Sequence, residues 1–157
     1  MCSSARSEAA PHIEITSDLS RIDLDRVHTW LARKSYWARQ IPRSVFDRAV
    51  HGSLCLGAIE DGATVGFARV ISDRATFAYV SDMFVDPERR GMGIGKAIMS
   101  SIRRHPELQD LRLWLLVTSD AHGLYAQHGF KAPACPDRVM ELRDPHIYQR
   151  MAAAGTR

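Results

Sequence analysis

The stretch Asp82-Met83-Phe84-Val85-Asp86-Pro87-Glu88-Arg89-Arg90-Gly91-Met92-Gly93-Ile94-Gly95-Lys96-Ala97-Ile98-Met99 decides the fold of this 157-residue chain. It begins as an apolar run, turns at a proline, passes through three glycines at alternate positions and continues with helical periodicity. The pattern predicts a strand, an anion-binding loop and a helix, because glycines let backbone N–H groups converge on an anion at the positive end of a helix.

The spacing of the glycines separates several kinds of loop. A nucleoside-triphosphate P-loop requires glycine at the position of Arg90 and Ser or Thr at that of Ala97, so this possibility fails. The dinucleotide pattern G-x-G-x-x-G meets Lys96 where its third glycine belongs, and it matches poorly. An ordinary glycine turn between a strand and a helix stays an alternative, but it leaves the basic cluster of Arg89, Arg90 and Lys96 unexplained.

Two motifs resemble those of one known family. Arg90-x-x-Gly93-x-Gly95 resembles the (Q/R)-x-x-G-x-(G/A) motif of the GNAT family of acyl-CoA-dependent N-acetyltransferases. The stretch 121–130, Ala-His-Gly-Leu-Tyr-Ala-Gln-His-Gly-Phe, resembles the A-x-x-L-Y-x-x-x-G-F signature that closes the core of that family. We therefore expect one GNAT domain over residues 11–157, preceded by a disordered tail at residues 1–10.

Apolar periodicity places the remaining elements. Strands are predicted at 12–16, 54–59, 65–71, 77–85, 111–117 and 139–142, and helices at about 19–32, 42–51, 94–104, 121–128 and 145–154. The Asp61-Gly62 pair predicts a hairpin between the second and third strands. The resemblance implies a mixed α/β fold. In that fold about four helices flank a mostly antiparallel sheet of about six to seven strands, with a parallel pair of strands around the CoA site.

Composition excludes several classes of protein. The chain is 45% hydrophobic and 25% charged with a net charge of +3, and its basic residues are dispersed, so nucleic acid is not an expected partner. Cys2, Cys55 and Cys135 are far apart, and no histidine lies at ligand spacing, so neither a disulfide framework nor a metal site is expected. The absence of a long apolar run argues against export and membrane spanning, and a cytoplasmic location is expected.

The resemblance also implies where acetyl-CoA binds. The diphosphate is expected on the backbone N–H groups of the loop, and the pantetheine arm along the backbone at the end of the preceding strand. Many members carry Asn seven residues before the signature tyrosine, whereas this chain has Thr118, which leaves that pantetheine contact open. The candidate cofactor-binding residues are Met83, Phe84, Val85, Arg90, Gly91, Met92, Gly93, Ile94, Gly95, Lys96 and Thr118.

The implied chemistry is attack of an amine on a thioester. An amine with a pKa near ~10.4 must lose a proton before it attacks, and either Asp82 or an ordered water is the candidate acceptor. Asp82 lies in an otherwise apolar strand, and a structural hydrogen bond to a neighbouring loop is its alternative role. Tyr125 is expected to donate a proton to the leaving sulfur, with a core aromatic role as the alternative. His122 is a reserve candidate for proton transfer.

Three aromatic residues, Trp30, Tyr36 and Trp37, lie in and near the connection between the first two helices. They are candidates for the acceptor pocket, or they pin this connection onto the sheet. The expected acceptor is the primary amine of a small molecule. A protein or peptide acceptor, a CoA-binding sensor without catalysis, and the choice between monomer and homodimer all stay open.

Overall fold

A computed structural model of the chain describes residues 12–155. Five strands form one sheet: β1 (Ile13–Thr16), β2 (Leu54–Glu60), β3 (Ala63–Ser72), β4 (Phe77–Val85) and β5 (Leu113–Leu116). Five α-helices flank it: α1 (Leu24–Lys34), α2 (Arg43–His51), α3 (Ile94–Arg104), α4 (His122–Ala126) and α5 (Ile147–Ala153). None of the helices within this range combines the length and the apolar character that crossing a bilayer requires.

The sheet follows the order of the chain, β1-β2-β3-β4-β5. The first four strands are antiparallel, and β2 joins β3 through Asp61 and Gly62, whose φ angles of 49° and 81° suit a two-residue hairpin turn. Strand β5 returns through α3 and pairs parallel to β4. The predicted mixed α/β fold with one parallel pair is confirmed.

The parallel pair diverges halfway along β4. Its register runs from Phe77 opposite Leu113 to Val80 opposite Leu116, and residues 81–85 of β4 have no partner on that side. The backbone groups on this edge of β4 therefore lack a strand partner and can bind an extended ligand, although the carbonyl oxygen of Val85 already accepts from Arg90. The divergence opens a gap at the carboxyl ends of both strands.

A β-bulge interrupts β4 beside this gap. Arg69 pairs with Ser81 and Phe67 pairs with Phe84, so two residues of β4, Asp82 and Met83, face a single residue of β3. The φ of Asp82 is 52°, in the left-handed region that aspartate tolerates better than most residues. Bulges bend a strand and increase its twist, which is consistent with the divergence of β4 from β5.

Each face of the sheet carries its own core. Helix α3 covers one face with the side chains of Ile94, Ile98 and Ile102, each 2% exposed or less. Helices α1 and α2 cover the other face with Val27, Leu31, Phe46 and Val50. Burial of one such side chain contributes about 1.5–3 kcal/mol, so the stripe of α3 holds the helix that follows the glycine loop against the sheet.

Some predicted boundaries and elements were wrong. The first helix begins at Leu24, because Asp23 caps it by accepting a hydrogen bond from the N–H of Arg26 at 3.0 Å, and residues 19–21 form only a single 3-10 turn. Residues 139–142 do not form a strand, and the sheet of the described chain has five strands instead of six or seven. Within residues 12–155 the segment has no neighbouring strand to supply ladder hydrogen bonds. The predicted tail at residues 1–10 lies outside the described residues.

Candidate active site

A cleft of about 780 Å³ opens where β4 and β5 diverge. Its walls are residues 79–85 of β4, residues 117–121 after β5, and the aromatic pair Tyr36 and Trp37. A second cavity of about 330 Å³ lies at the glycine loop. The two cavities adjoin, because they share the lining residues Val85, Arg90, Gly95 and Leu124. Together they form a channel from the loop to the aromatic pair.

The glycine loop leaves the first turn of α3 open to an anion. Gly91 and Gly93 have φ angles of 79° and 80°, which only glycine adopts without strain. Gly93 is the N-cap residue of α3 and offers no side-chain acceptor to the first N–H groups of the helix. These N–H groups and the helix dipole both favour a bound anion, such as a phosphate.

Gly95 has a different role from its neighbours. A Cβ atom at this position would lie 3.3 Å from Cδ2 of Leu124 and 3.8 Å from Cγ2 of Val85. The missing side chain thus lets α3 approach α4 closely. The glycine pattern of the motif reflects both backbone conformation and packing.

Two of the three cations near the loop remain available to a ligand. Arg89 is held by Glu60, with 2.6 Å between Nε and Oε2, so its charge serves to tie the loop to β2. Arg90 donates from Nε to the carbonyl oxygen of Val85 at 3.3 Å, and its guanidinium lies 5.3 Å from the ring centroid of Phe84. Arg90 and Lys96 both line the loop cavity.

Asp86 anchors the start of the loop, directly after the end of β4. Its carboxylate accepts from the N–H of Glu88 at 3.0 Å and from Arg26 at 2.6 Å. Burial raises the pKa of this carboxyl, but the Glu88 N–H and the Arg26 guanidinium more than offset that effect and leave the pKa below its usual range. The ionised carboxylate thereby fixes α1 to the start of the loop.

Asp82 occupies the centre of a buried network at the bulge. Its Oδ1 accepts from the indole N–H of Trp37 at 3.0 Å, and its Oδ2 accepts from Nε of Arg69 at 2.8 Å. Arg69 also donates to Oγ of Ser53 at 3.0 Å. The side chains of Asp82 and Arg69 are only 7% and 14% exposed. Each carboxylate oxygen of Asp82 thus already has a donor.

Tyr125 is buried on α4 at the floor of the cleft. Its ring packs against Phe130 with 6.1 Å between centroids. Burial, followed by the nearby Tyr36 and Asp120, raises the pKa of Tyr125 to about 12. Within residues 12–155 no hydrogen bond to its hydroxyl is formed. The hydroxyl is therefore protonated at neutral pH and free to donate to a ligand.

The aromatic connection bridges the cleft. The hydroxyl of Tyr36 accepts from the backbone N–H of Ser119 at 3.0 Å, and the Tyr36 ring meets Trp37 edge-on at 4.8 Å. Across the same cleft, Oγ1 of Thr118 accepts from the N–H of Ala121 at 3.0 Å, which fixes the turn that precedes α4. The hydroxyl hydrogen of Thr118 remains available where the family pattern often has Asn.

The structure brings most of the predicted site residues to this channel. Asp82, Met83, Phe84, Val85, Arg90, Gly95, Thr118, Tyr125, Tyr36 and Trp37 line the cleft, and Gly91, Gly93, Ile94 and Lys96 line the loop cavity. Trp30 lies elsewhere: it is 4% exposed and stacks on Phe84 at 5.4 Å, behind the cleft wall. Met92 is half exposed, outside both cavities.

Sequence reasoning missed four charged residues of the cleft: Lys34, Asp120, Glu141 and Arg143. Lys34 ends α1, and its position would follow from that helix. Glu141 lies within the predicted strand at residues 139–142 and Arg143 directly follows it, and a strand prediction alone does not indicate a site. Among the described residues no group of three metal-binding side chains comes together.

Residues 51–132 match the profile of the acetyltransferase (GNAT) domain family. A protein of the GNAT family from Xanthomonas campestris pv. campestris has a solved structure with a TM-score of 0.86 and 48% sequence identity, over 89% of this chain and 99% of that one. An acetyltransferase-like protein of Gibberella zeae is 25% identical over 131 residues, which are 69% of this chain and 73% of that protein. A predicted acetyltransferase from Clostridium acetobutylicum, solved with acetyl-CoA, shares the fold at a TM-score of 0.59 and 18% identity, over 85% of this chain and 96% of that one.

The fold, the glycine loop and these matches agree on one class of protein, the acetyltransferases that use acetyl-CoA. The chain belongs to the GNAT family.

Proposed function

We propose that this protein transfers the acetyl group of acetyl-CoA to the primary amine of a small molecule, by direct attack in a ternary complex. One observation carries the proposal: a single channel joins an anion-binding helix end to a buried tyrosine hydroxyl that has no partner in the described chain. The first end suits a diphosphate and the second suits a leaving thiolate.

The residues of the channel fit acetyl-CoA in order along its length. The N–H groups of residues 91–96 would hold the diphosphate, with Arg90 and Lys96 supplying positive charge. The unpaired edge of β4 at residues 83–85 would bind the amide groups of the pantetheine arm as an added strand does. When bound, acetyl-CoA supplies an acetyl group activated as a thioester.

The free edge of β4 also offers a donor for the oxyanion. A backbone N–H near Val85 has no partner strand on the β5 side. A fixed N–H at this place can stabilise the negative charge that develops on the acetyl oxygen without reorganising during the reaction. This is the main electrostatic contribution that the backbone makes.

An acceptor amine must lose a proton before it attacks. Two acceptors for that proton are considered: the carboxylate of Asp82 and a water molecule in the cleft. The contacts of Asp82 favour water, because Trp37 and Arg69 already donate to the two carboxylate oxygens. In this assignment Asp82 holds the bulge and the aromatic connection in place, and Asp82→Asn would leave most of the activity intact.

Tyr125 is placed to stabilise the sulfur of CoA as it leaves. With a pKa of about 12 the phenol is a weaker acid than a thiol, whose ordinary pKa is ~8.5, so complete proton transfer is uphill by roughly 3.5 pKa units. A hydrogen bond from the hydroxyl to the developing thiolate carries no such cost and still lowers the barrier. Tyr125 therefore acts mainly as a hydrogen-bond donor, and its hydroxyl is protonated at neutral pH.

The shape of the cleft favours a small acceptor over a polypeptide. The Tyr36 hydroxyl and the Ser119 N–H close the cleft on one side, and a peptide would need an open groove there. Lys34, Asp120, Glu141 and Arg143 offer charges of both signs for recognition. The cytoplasmic location of the protein stays a prediction.

The test is release of free thiol from acetyl-CoA in the presence of a panel of small amines, amino acids and short peptides. The expected result is turnover with one or a few small amines above the rate with acetyl-CoA alone. Turnover only with peptides would replace the small-molecule proposal by peptide acetylation. Binding of acetyl-CoA without turnover on any acceptor would refute the transferase function and favour a sensor.

A further inference from the structure

Charged side chains of both signs line the cleft without pairing with one another. They come from three separate parts of the chain and are Lys34 at the end of α1, Asp120 after β5, and Glu141 and Arg143 between α4 and α5. Within residues 12–155 none of these side chains forms an ion pair. Binding sites commonly orient a ligand through a few polar groups of this kind.

Asp120 lies beside the tyrosine at the reacting end of the cleft. Burial raises the pKa of Tyr125, and the neighbouring Tyr36 and Asp120 add to this effect. Both Asp120 and Tyr125 line the cleft, on either side of the start of α4. A carboxylate at this point attracts an acceptor amine in its ammonium form. The amine is thereby drawn toward the end of the cleft that holds the tyrosine hydroxyl.

Arg143 is the cation of the cleft that suits a carboxylate best. Its planar guanidinium can donate two parallel hydrogen bonds to one carboxylate, whereas the ammonium of Lys34 acts as a point charge. The charge of Lys34 also acts on Asp86: burial raises the pKa of that carboxyl, and Lys34 is among the groups that lower it. Arg143 has no acidic partner among the described residues and is exposed to a ligand.

The aromatic pair offers a surface for the carbon skeleton of the acceptor. Tyr36 and Trp37 line the same cleft and are 54% and 36% exposed. Exposed aromatic rings bury apolar area readily and lose little conformational freedom when they do so. The cleft therefore combines an apolar wall with one carboxylate at the reacting end and a guanidinium on a separate segment.

We propose that the acceptor is an amino acid, a small molecule that carries a carboxylate as well as the primary amine, which rests on the acetyl transfer proposed above. Asp120 would attract the amine and Arg143 would bind the carboxylate. The products would be an N-acetyl amino acid and CoA. Glu141 lies two positions from Arg143 on the same cleft wall and would repel a second carboxylate, so neutral and basic amino acids are favoured over acidic ones.

Other classes of amine fit these charges less well. A diamine or polyamine would bring a second positive charge toward Arg143 and Lys34. An amine without any anionic group would leave the guanidinium of Arg143 without a partner. A molecule with one charge of each sign satisfies both ends of the cleft.

Acceptors that differ only in the carboxylate test the inference. The best of the twenty common amino acids is compared with its amide and with the amine that lacks its carboxyl group, and kcat/KM is measured by thiol release from acetyl-CoA. The amino acid should exceed both relatives by at least about tenfold, because each lacks the charge-assisted hydrogen bonds. The amide is less basic at its amine and is deprotonated more often at neutral pH, so intrinsic reactivity opposes this order.

Variants of Arg143 assign the preference to one side chain. Arg143→Gln should lower the ratio of kcat/KM for the acid to that for the amide to about one, because glutamine carries no charge. Arg143→Lys should retain part of the ratio, because the charge remains without the two parallel donors. Arg138→Gln is the matched control, because Arg138 is an exposed arginine of the same segment and lines neither cavity. It should keep the full ratio.

The possible outcomes separate this inference from the transferase function. Turnover of the amide or of the amine without a carboxyl group that equals or exceeds turnover of the amino acid would overturn the inference and leave acetyl transfer intact. A ratio that Arg143→Gln does not lower would overturn it as well. Absence of turnover with any acceptor, while acetyl-CoA binds, would refute acetyl transfer and the inference together.

Discussion

Replacement of Arg69 by glutamine would leave the buried carboxylate of Asp82 without its cationic partner. The two side chains are 14% and 7% exposed, and the guanidinium donates to Asp82 at 2.8 Å and to Ser53 at 3.0 Å. Removal of one partner from a buried ion pair costs about 3–5 kcal/mol, because the remaining charge is desolvated and uncompensated. A glutamine amide can keep one neutral hydrogen bond, so about 3 kcal/mol is expected.

Thermal and urea unfolding measure this cost. For a domain of this size 1 kcal/mol shifts Tm by about 2–4 °C, so Arg69→Gln should lower Tm by about 6–12 °C. The double variant Arg69→Gln/Asp82→Asn should recover most of the loss, because asparagine is neutral and tolerates the left-handed φ of 52° at this position. Arg150→Gln is the control, since its pair with Asp144 is exposed and screened by solvent, so only a small change in Tm is expected.

Two results would refute the reasoning about this pair. One is a loss for Arg69→Gln no larger than that for Arg150→Gln, which would mean that the pair is solvated in solution. The other is a double variant whose loss equals the sum of the two single losses, which would mean that Arg69 and Asp82 act independently.

Three further predictions concern other residues. Tyr125→Phe should lower kcat about a hundredfold with little change in CoA affinity or stability, because the hydroxyl has no partner in the described chain; an unchanged kcat removes Tyr125 from the mechanism. Burial raises the pKa of Cys55 to about 12, so iodoacetamide at pH 8 should label exposed Cys135 but reach Cys55 only after denaturation, as peptide mass mapping would reveal. The lowered pKa of Asp86 stabilises the fold above the unfolded pKa of ~3.9, and this contribution is lost as pH falls through the lower folded pKa. Stability measured from pH 6 to pH 2 should therefore fall less steeply for Asp86→Asn than for the unaltered chain, and parallel curves would contradict this.

The local parts of the fold followed from the sequence. The loop conformation depends on glycines at positions 91 and 93, whose positive φ angles few other residues adopt, and the hairpin depends on Asp61 and Gly62 in the same way. The apolar period of residues 94–102 placed α3 on the sheet, because a helix buries the face on which such residues recur. Both signals, the glycines that allow a positive φ and the apolar period of a helix, lie within a few residues of one another along the chain.

The tertiary network of the site did not follow from the sequence. Asp82 accepts hydrogen bonds from Trp37 and Arg69, which lie 45 and 13 positions away in the sequence. No local pattern in the sequence indicates which donors reach a buried carboxylate. The sequence shows Arg89 as one of three basic residues near the loop, but its ion pair with Glu60 joins residues 29 positions apart and has no local signal. The alternation at residues 139–142 is correct for a strand, yet a strand also needs a neighbour, which periodicity does not supply.

Binding of CoA by isothermal titration calorimetry tests the central claim most directly. If the N–H groups of residues 91–96 hold the diphosphate, CoA should bind with a saturable heat, and pantetheine, which lacks the diphosphate, should bind at least about tenfold more weakly. Gly93→Ala should also weaken CoA binding. Alanine disfavours the φ of 80° at this position, and that φ orients the N–H groups of the loop toward the anion. No heat with CoA, or equal affinity for CoA and pantetheine, would contradict the account.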